Sequence, residues 1–313
     1  MKKWRQLAAA AAVGTAAVLG GAYYAYRVAF QADPKRIAPA RSMPEGKLYD
    51  PYQELTLRNV DDLLSRPCET VTITSRDGLR LSGKYYAGQP GAPLMLFFHG
   101  YRSTSARDGS GGFQMCLRRG FSVLMVDQRG HGDSQGDTIT FGIRERQDCL
   151  DWANAAAERF GPETEILLLG VSMGAATVLM AADLSLPPQV KGIIADCGYD
   201  SPEDILRATM RRWHYPQFPT WQLVRLGAKL FGHLDVRECS ALESLRHAGV
   251  PVLLVHGEAD NVVPCAMAHS LRDACASPVE VLTVPGAGHG ISWYVDMPAY
   301  QTALLNFMEA HMN

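Results

Sequence analysis

The chain of 313 residues has no excess of charge of either sign: 30 Lys and Arg stand against 32 Asp and Glu, a formal net charge of −2. That balance argues against a generally basic nucleic-acid-binding surface, and no nucleic acid is expected among its partners. Paired cysteines are also lacking. The seven, Cys68, Cys116, Cys149, Cys197, Cys239, Cys265 and Cys275, are odd in number and scattered, with no C-x-x-C pair, which argues against a zinc site or a disulfide framework. Several lie in apolar surroundings, as in Phe113-Gln114-Met115-Cys116-Leu117, and read as small core residues rather than thiol nucleophiles. Neither the full P-loop pattern nor G-x-G-x-x-G occurs, so a nucleotide-binding protein has little support. No cofactor and no metal are expected. Glycine and proline are too few for a disordered chain, 29 and 18 residues making 47 of 313, and 47% hydrophobic residues suffice for a sizeable core.

What is present begins at the amino terminus. Lys2, Lys3 and Arg5 precede an uncharged run from Gln6 to Tyr26, and the 20 residues Leu7 to Tyr26 would span about 30 Å as a helix, the thickness of a bilayer core. Tyr23, Tyr24 and Tyr26 at its far end fit an interfacial aromatic belt. Nine of those residues are Ala, which makes the run weakly apolar, yet no polar face interrupts it as a soluble helix would require. Residues 1–30 therefore read as an uncleaved signal anchor or transmembrane helix, with the basic start cytoplasmic and the rest on the extracytoplasmic side. A cleavable signal peptide cut before Tyr23, releasing a secreted protein, is the alternative. Residues 31–67 read as a tether and lead-in, since Pro34 to Pro51 is rich in Pro, Gly and charge.

From Cys68 onward one scheme repeats. Thr70-Val71-Thr72-Ile73 alternates, and Asp77-Gly78 offers a tight turn into Leu79 to Tyr86, an antiparallel start. The unbroken apolar runs Leu94 to Phe98, Phe121 to Val126, Ile166 to Leu169, Val190 to Ala195, Val252 to Val255 and Val279 to Val284 read as strands buried on both faces. Helix-period stretches lie between them, at Ile143 to Phe160, Ala175 to Leu184 and Ala266 to Ala274. The fold class is α/β, with a mainly parallel central sheet covered by helices on both faces. Only the connection from Asp196 to Val252 breaks the rhythm, and residues 199–249 read as a helical cap.

Ile166 to Ala176 is an apolar strand, the pentapeptide Gly170-Val171-Ser172-Met173-Gly174, then a helix. In that setting G-x-S-x-G forms a sharp turn that lifts a serine above the sheet. The pattern alone is weak, because Gly132-Asp133-Ser134-Gln135-Gly136 matches it too. Ser134 comes several residues after its strand and has no helix behind it, so Ser172 is the candidate nucleophile. A serine at its free pKa needs a base, itself oriented by a carboxylate. His289, in the glycine-rich loop Pro285-Gly286-Ala287-Gly288-His289-Gly290, is the candidate base, although a surface-loop histidine would look the same. Asp260, just after the Val252 strand, is the candidate carboxylate, with Asp196 as its rival. The order Ser172, Asp260, His289 matches one of the three known triad orders. Two backbone N–H groups are needed for an oxyanion, and Met173 and Tyr101 are the candidates. His99 and His131 read as loop-shaping hydrogen bonders.

Taken together these motifs resemble a serine hydrolase of the α/β-hydrolase superfamily over Cys68 to Met312. The Asp196-Cys197-Gly198-Tyr199 turn, the cap and Gly257 to Pro264 resemble the branch shared by prolyl-oligopeptidase-like and lysophospholipase-like hydrolases, often membrane-anchored in bacteria. Tyr101-Arg102 after His99-Gly100 departs from lipases with an HGGG loop. The resemblance implies a cofactor-independent hydrolase acting on a small-molecule or lipid-like acyl substrate, most simply a carboxylic ester, with amide or thioester as alternatives. A membrane-tethered binding protein on the same fold is the reading outside enzymology, and the complete set of triad residues speaks against it. Trp213 and Trp221 in the cap are the candidate substrate-binding side chains of an acyl pocket.

Overall fold

The computed structural model describes residues 1–312. An antiparallel pair, β1 (Glu69–Thr74) and β2 (Arg80–Tyr86), opens the sheet. It continues with β3 (Leu94–Phe98), β4 (Ser122–Asp127), β5 (Ile166–Val171), β6 (Val190–Asp196), β7 (Val252–Gly257) and β8 (Val279–Val284). The eight strands lie in the order β1-β2-β4-β3-β5-β6-β7-β8, and every pair from β4 to β8 is parallel. β3, β5 and β7 are buried along their whole length, which is why they read as unbroken apolar runs instead of alternating ones.

The helices in chain order are α1 (Lys2–Ala29), α2 (Gln53–Ser65), α3 (Ser105–Arg118), α4 (Glu145–Phe160), α5 (Met173–Met180), α6 (Pro202–Arg212), α7 (Gln217–Phe231), α8 (Ala241–Leu245), α9 (Ala266–Ala274), α10 (Ser292–Val295) and α11 (Met297–His311). One apolar cluster joins the sheet to α4, α5, α8 and α9 through side chains such as Trp152, Val178 and Leu271. A second joins the opposite face to α3, α10 and α11 through Phe113, Trp293 and Phe307. Burying both faces this way is the only outlet for strands apolar on both sides.

Two regions depart from expectation. The lead-in is not a slack tether. Thr56, Val60 and Leu63 recur at helical spacing on α2 and are buried, and α2 packs against α3. Ahead of it, a Cβ at Gly288 would touch Leu48 at 3.3 Å and the Tyr49 hydroxyl at 3.3 Å, so this stretch lies on the glycine-rich loop. The cap proper is α6 and α7, since α8 rejoins the layer on α5. Helix α7 runs in the same sense as the last third of α1: Leu223 meets Gly21, Gly227 meets Ala22 and Tyr26, and Phe231 meets Tyr23 and Tyr26. Gly227 permits that approach, because a Cβ there would lie 2.2 Å from the Ala22 carbonyl oxygen. Ala22, Tyr26 and Phe30 are buried, whereas everything from Met1 to Gly20 is exposed.

Candidate active site

Ser172 stands between the end of β5 and the start of α5 with φ 56° and ψ −115°, a strained conformation for a non-glycine residue. Its neighbours explain why the turn is tolerated. A Cβ at Gly170 would fall 2.2 Å from the Gly174 carbonyl, and one at Gly174 would fall 2.0 Å from the Phe98 oxygen, so only glycine lets strand and helix close so tightly. The Ser172 N–H donates to the Asp196 carbonyl at 2.8 Å and fixes the turn from below.

The other two candidates come from loops after β7 and β8. His289 Nε2 lies 2.9 Å from Ser172 Oγ, and its Nδ1 lies 2.7 Å from Asp260 Oδ2. Asp260 is held in turn: its Oδ1 accepts from the N–H groups of Val262 at 2.8 Å and Val263 at 2.9 Å. Buried His256 lies 3.5 Å from Asp260 Oδ2 and 3.0 Å from the Val263 carbonyl. Burial alone would raise the Asp260 carboxyl. The His289 charge and hydrogen bonds from His256, His289 and the Val263 amide outweigh it and hold the group well below the ordinary carboxylate range. Asp196, the rival, contacts neither histidine ring through a hydrogen bond. Burial raises it to about 6, against opposing pulls from His256, the Tyr300 hydroxyl and His289, and its Oδ1 has no hydrogen-bond partner.

Above the serine runs the loop from His99 to Ser103. A Cβ at Gly100 would lie 3.4 Å from Ser172 Cβ, so the loop passes directly beside it. The Gly100 amide donates to Asp108 Oδ2 at 2.7 Å, the Arg102 amide to His131 Nε2 at 3.0 Å, and the Ser103 amide to the Gly100 carbonyl at 3.3 Å. Among the described residues the Tyr101 amide has no acceptor. Neither has the Met173 amide, which as the first residue of a helix lacks an intrahelical partner. His99 bonds the Gly100 carbonyl at 2.8 Å and accepts from the Gln128 amide at 3.1 Å, and burial pushes His131 down to about 3, leaving it neutral. Both histidines brace the loop, as their sequence context implied.

The cavity over Ser172 measures about 360 Å³. Its roof comes from the lead-in, Met43, Pro44, Glu45 and Tyr49, and from the cap only Arg212 reaches it. A narrower apolar chamber, walled by Phe97, Phe113, Met125, Trp293 and Leu304, lies against α3 and shares Asp108, Val171, Gly290 and Tyr294 with the cavity. Trp213 and Trp221 line neither. Trp221 is 3% exposed beneath the Arg207 guanidinium, whereas Trp213 is 66% exposed on the outer surface. Sequence reasoning missed Tyr49 and Arg212, and only the apolar pair Leu48-Tyr49 inside a polar stretch hinted at the former. Cys197, Asp260 and His289 bring ligand atoms within 4.8 Å of one another. They suit a metal poorly: burial pushes the Cys197 thiol well above its ordinary value, and Asp260 is already committed to two amides and His289.

Residues 95–303, two thirds of the chain, match the Alpha/beta hydrolase family. The protein belongs to that family. This hydrolase is similar in fold to the esterase Pf2001 of Pyrococcus furiosus, with a TM-score of 0.65, 20% identity, and coverage of 90% of this chain and 100% of the other. In sequence it is 24% identical to the uncharacterized protein YqkD of Bacillus subtilis over 238 residues, 76% of this chain and 78% of that one. It is also 26% identical to the thiohydrolase aneE of Aspergillus aculeatus over 240 residues, 76% of this chain and 64% of that one.

Proposed function

We propose that this hydrolase cleaves carboxylic esters through Ser172, His289 and Asp260. The observation that carries the reading is the unbroken relay of 2.9 Å and 2.7 Å from Ser172 Oγ through His289 to Asp260. Ser172 Oγ attacks the acyl carbonyl and gives its proton to His289 Nε2, while ionised Asp260 orients the ring and stabilises the imidazolium. The free amides of Tyr101 and Met173 receive the oxyanion. His289 then protonates the departing alcohol, and water, deprotonated by the same ring, releases the acid. The apolar chamber next to the cavity suits a short-to-medium acyl chain. Names among the relatives, an esterase and a thiohydrolase, fit acyl transfer to water.

A fluorophosphonate probe tests the nucleophile, because labelling requires an activated serine. Matched chromogenic esters, thioesters and amides then rank the leaving group by kcat/KM. A preference for amides in labelled protein would overturn the ester reading. Helix α1 is long and apolar enough to cross a membrane and is exposed over its first two thirds, which supports a membrane anchor. Lys2, Lys3 and Arg5 ahead of it favour a cytoplasmic start and an extracytoplasmic catalytic domain. Protease access to that domain from outside intact cells checks the sidedness. The branch shared by prolyl-oligopeptidase-like and lysophospholipase-like hydrolases is likewise our reading, resting on the Asp196 to Tyr199 turn, the cap and the Gly257 to Pro264 segment.

A further inference from the structure

We infer that the α6–α7 corner of the cap, Trp213, Tyr215 and Phe218, is a second lipid-contacting surface that sets the active-site mouth against the bilayer, so that the substrate is an amphiphilic ester resident in the membrane. The inference rests on α1 being the anchor and on the hydrolase reading above.

The argument starts from length. Only Lys2 to Gly20 of α1 is free of the domain, 19 residues or about 28 Å of helix, against a bilayer core of about 30 Å. From Gly21 the helix is already packed on Leu223. If the charged groups up to Arg5 stay in the headgroups, the core begins at Gln6 and ends roughly 20 residues later, near Ala25. No spare residues separate the span from the cap. The cap must touch lipid, and the part of it lying level with Gly21 or toward the free end of α1 must enter it.

The parallel packing says which part that is. Since Leu223 meets Gly21 and Phe231 meets Tyr23 and Tyr26, the amino end of α7 points down α1 toward its free half. Pro219, four residues before Leu223, lies about 6 Å further that way, and Phe218 stands just beyond it, where extended backbone interrupts the helix. The side chains there suit a headgroup boundary. Trp213, Tyr215 and Phe218 are 66%, 59% and 76% exposed, three large aromatics that water solvates poorly. Around them, residues 205–234 carry Arg211, Arg212, Arg225 and Lys229 and not one Asp or Glu, Arg207 being paired with Glu203 at 2.8 Å, a charge pattern that complements anionic lipid. Arg212, next to Trp213, also lines the cavity over Ser172. The lipid-facing corner and the mouth of the site therefore share a residue, and an ester leaving the bilayer there reaches the serine without crossing open water.

The test uses the full chain in nanodiscs of phosphatidylcholine and phosphatidylglycerol. Brominated phosphatidylcholine should quench the wild type more than the Trp213→Phe variant, because Trp213 then contributes a lipid-accessible signal. The double variant Tyr215→Ser/Phe218→Ser should lose about tenfold in kcat/KM on a fluorogenic amphiphilic ester of medium acyl chain dissolved in the disc. It should hydrolyse p-nitrophenyl butyrate, supplied from water, at the wild-type rate. Equal quenching of wild type and Trp213→Phe would place the corner outside the lipid and overturn the inference. So would an unchanged rate on the disc-borne ester. Failure of the hydrolase reading is distinguishable, since wild type would then leave the butyrate intact while the quenching result stands. Failure of the anchor differs again: the chain would elute free of the discs.

Discussion

Two turns of this molecule carry the same pentapeptide pattern and put it to opposite uses. At Ser172 the flanking glycines are demanded by backbone contact, the serine takes the strained φ of 56°, and the hydroxyl is presented to a histidine. At Ser134 the strain falls on the glycines, with φ 51° at Gly132 and 124° at Gly136, and the serine is relaxed. Its hydroxyl donates to the Asp127 carbonyl at 2.6 Å and accepts from the Ser82 amide at 2.8 Å, stapling the turn to β2. A hydroxyl whose proton is held by a carbonyl, with no base bonded to it, is not activated for attack. Whether a G-x-S-x-G serine reacts is thus decided by which residue bears the positive φ, and that depends on what packs above and below it.

The comparison breaks most sharply at the hydroxyls themselves. Ser172→Ala is expected to reduce kcat on the order of 10⁶-fold with an unchanged melting curve. Activity that survives this change would make the elbow assignment wrong. Next in size is the partner of the base: Asp260→Asn should leave His289 in the wrong tautomer and lower kcat by about 10⁴, read by steady-state kinetics beside a thermal melt. Gly174→Ala drives a Cβ into the Phe98 carbonyl and should cost about 3 kcal/mol of stability, measured by urea unfolding.

A smaller effect sits under the reactive turn. Asp196 is raised to about 6 from an ordinary 3.8, so ionising it costs stability. That cost is absent below about pH 4, grows to about pH 6 and is full above it. Asp196→Asn removes it, and unfolding at pH 4 and pH 7 should show the variant gaining on the parent by up to about 3 kcal/mol while activity persists. Smallest of all, Ser134→Ala should cost about 1 kcal/mol, the worth of a lost hydrogen bond, and leave kcat untouched.

Much of this was legible in the chain before folding. Leu94–Phe98, Val279–Val284 and Ala266–Ala274 have the bounds that apolar runs and helical spacing imply. For β3 the reason is that a strand buried on both faces tolerates little else, whereas β8, expected to be buried on both faces, is the half-exposed edge strand with Glu280 in water. The juxtaposition of Ser172, Asp260 and His289 was readable for a related reason: all three sit just past the carboxyl ends of strands, so topology brings them to one edge. The roof was not readable. Met43 to Tyr49 holds Pro44, Glu45, Gly46 and Lys47 and shows no apolar period, and its placement over the serine depends on contacts more than a hundred residues away, such as Tyr49 on the Gly288 loop. For the same reason two tryptophans that looked alike as pocket residues separated, one under Arg207 and one on the outer corner of the cap.

The carboxyl end of α1 is finished by the loop that serves the serine. The Tyr101 hydroxyl donates to the Ala29 carbonyl at 2.8 Å, and Arg102 reaches the carbonyls of Val28 at 2.8 Å and Gln31 at 3.2 Å. Phe30 is wholly buried, and its carbonyl accepts the Ile139 amide at 2.7 Å. Anyone trimming the protein to a soluble form therefore has a narrow margin. Starting the chain at Gly20 discards only exposed helix, whereas starting it at Gln31, where the apolar segment ends on paper, removes a plug from the core. It also unties the two side chains that steady the Tyr101 amide, so such a truncate would be a poor guide to the intact enzyme's rate.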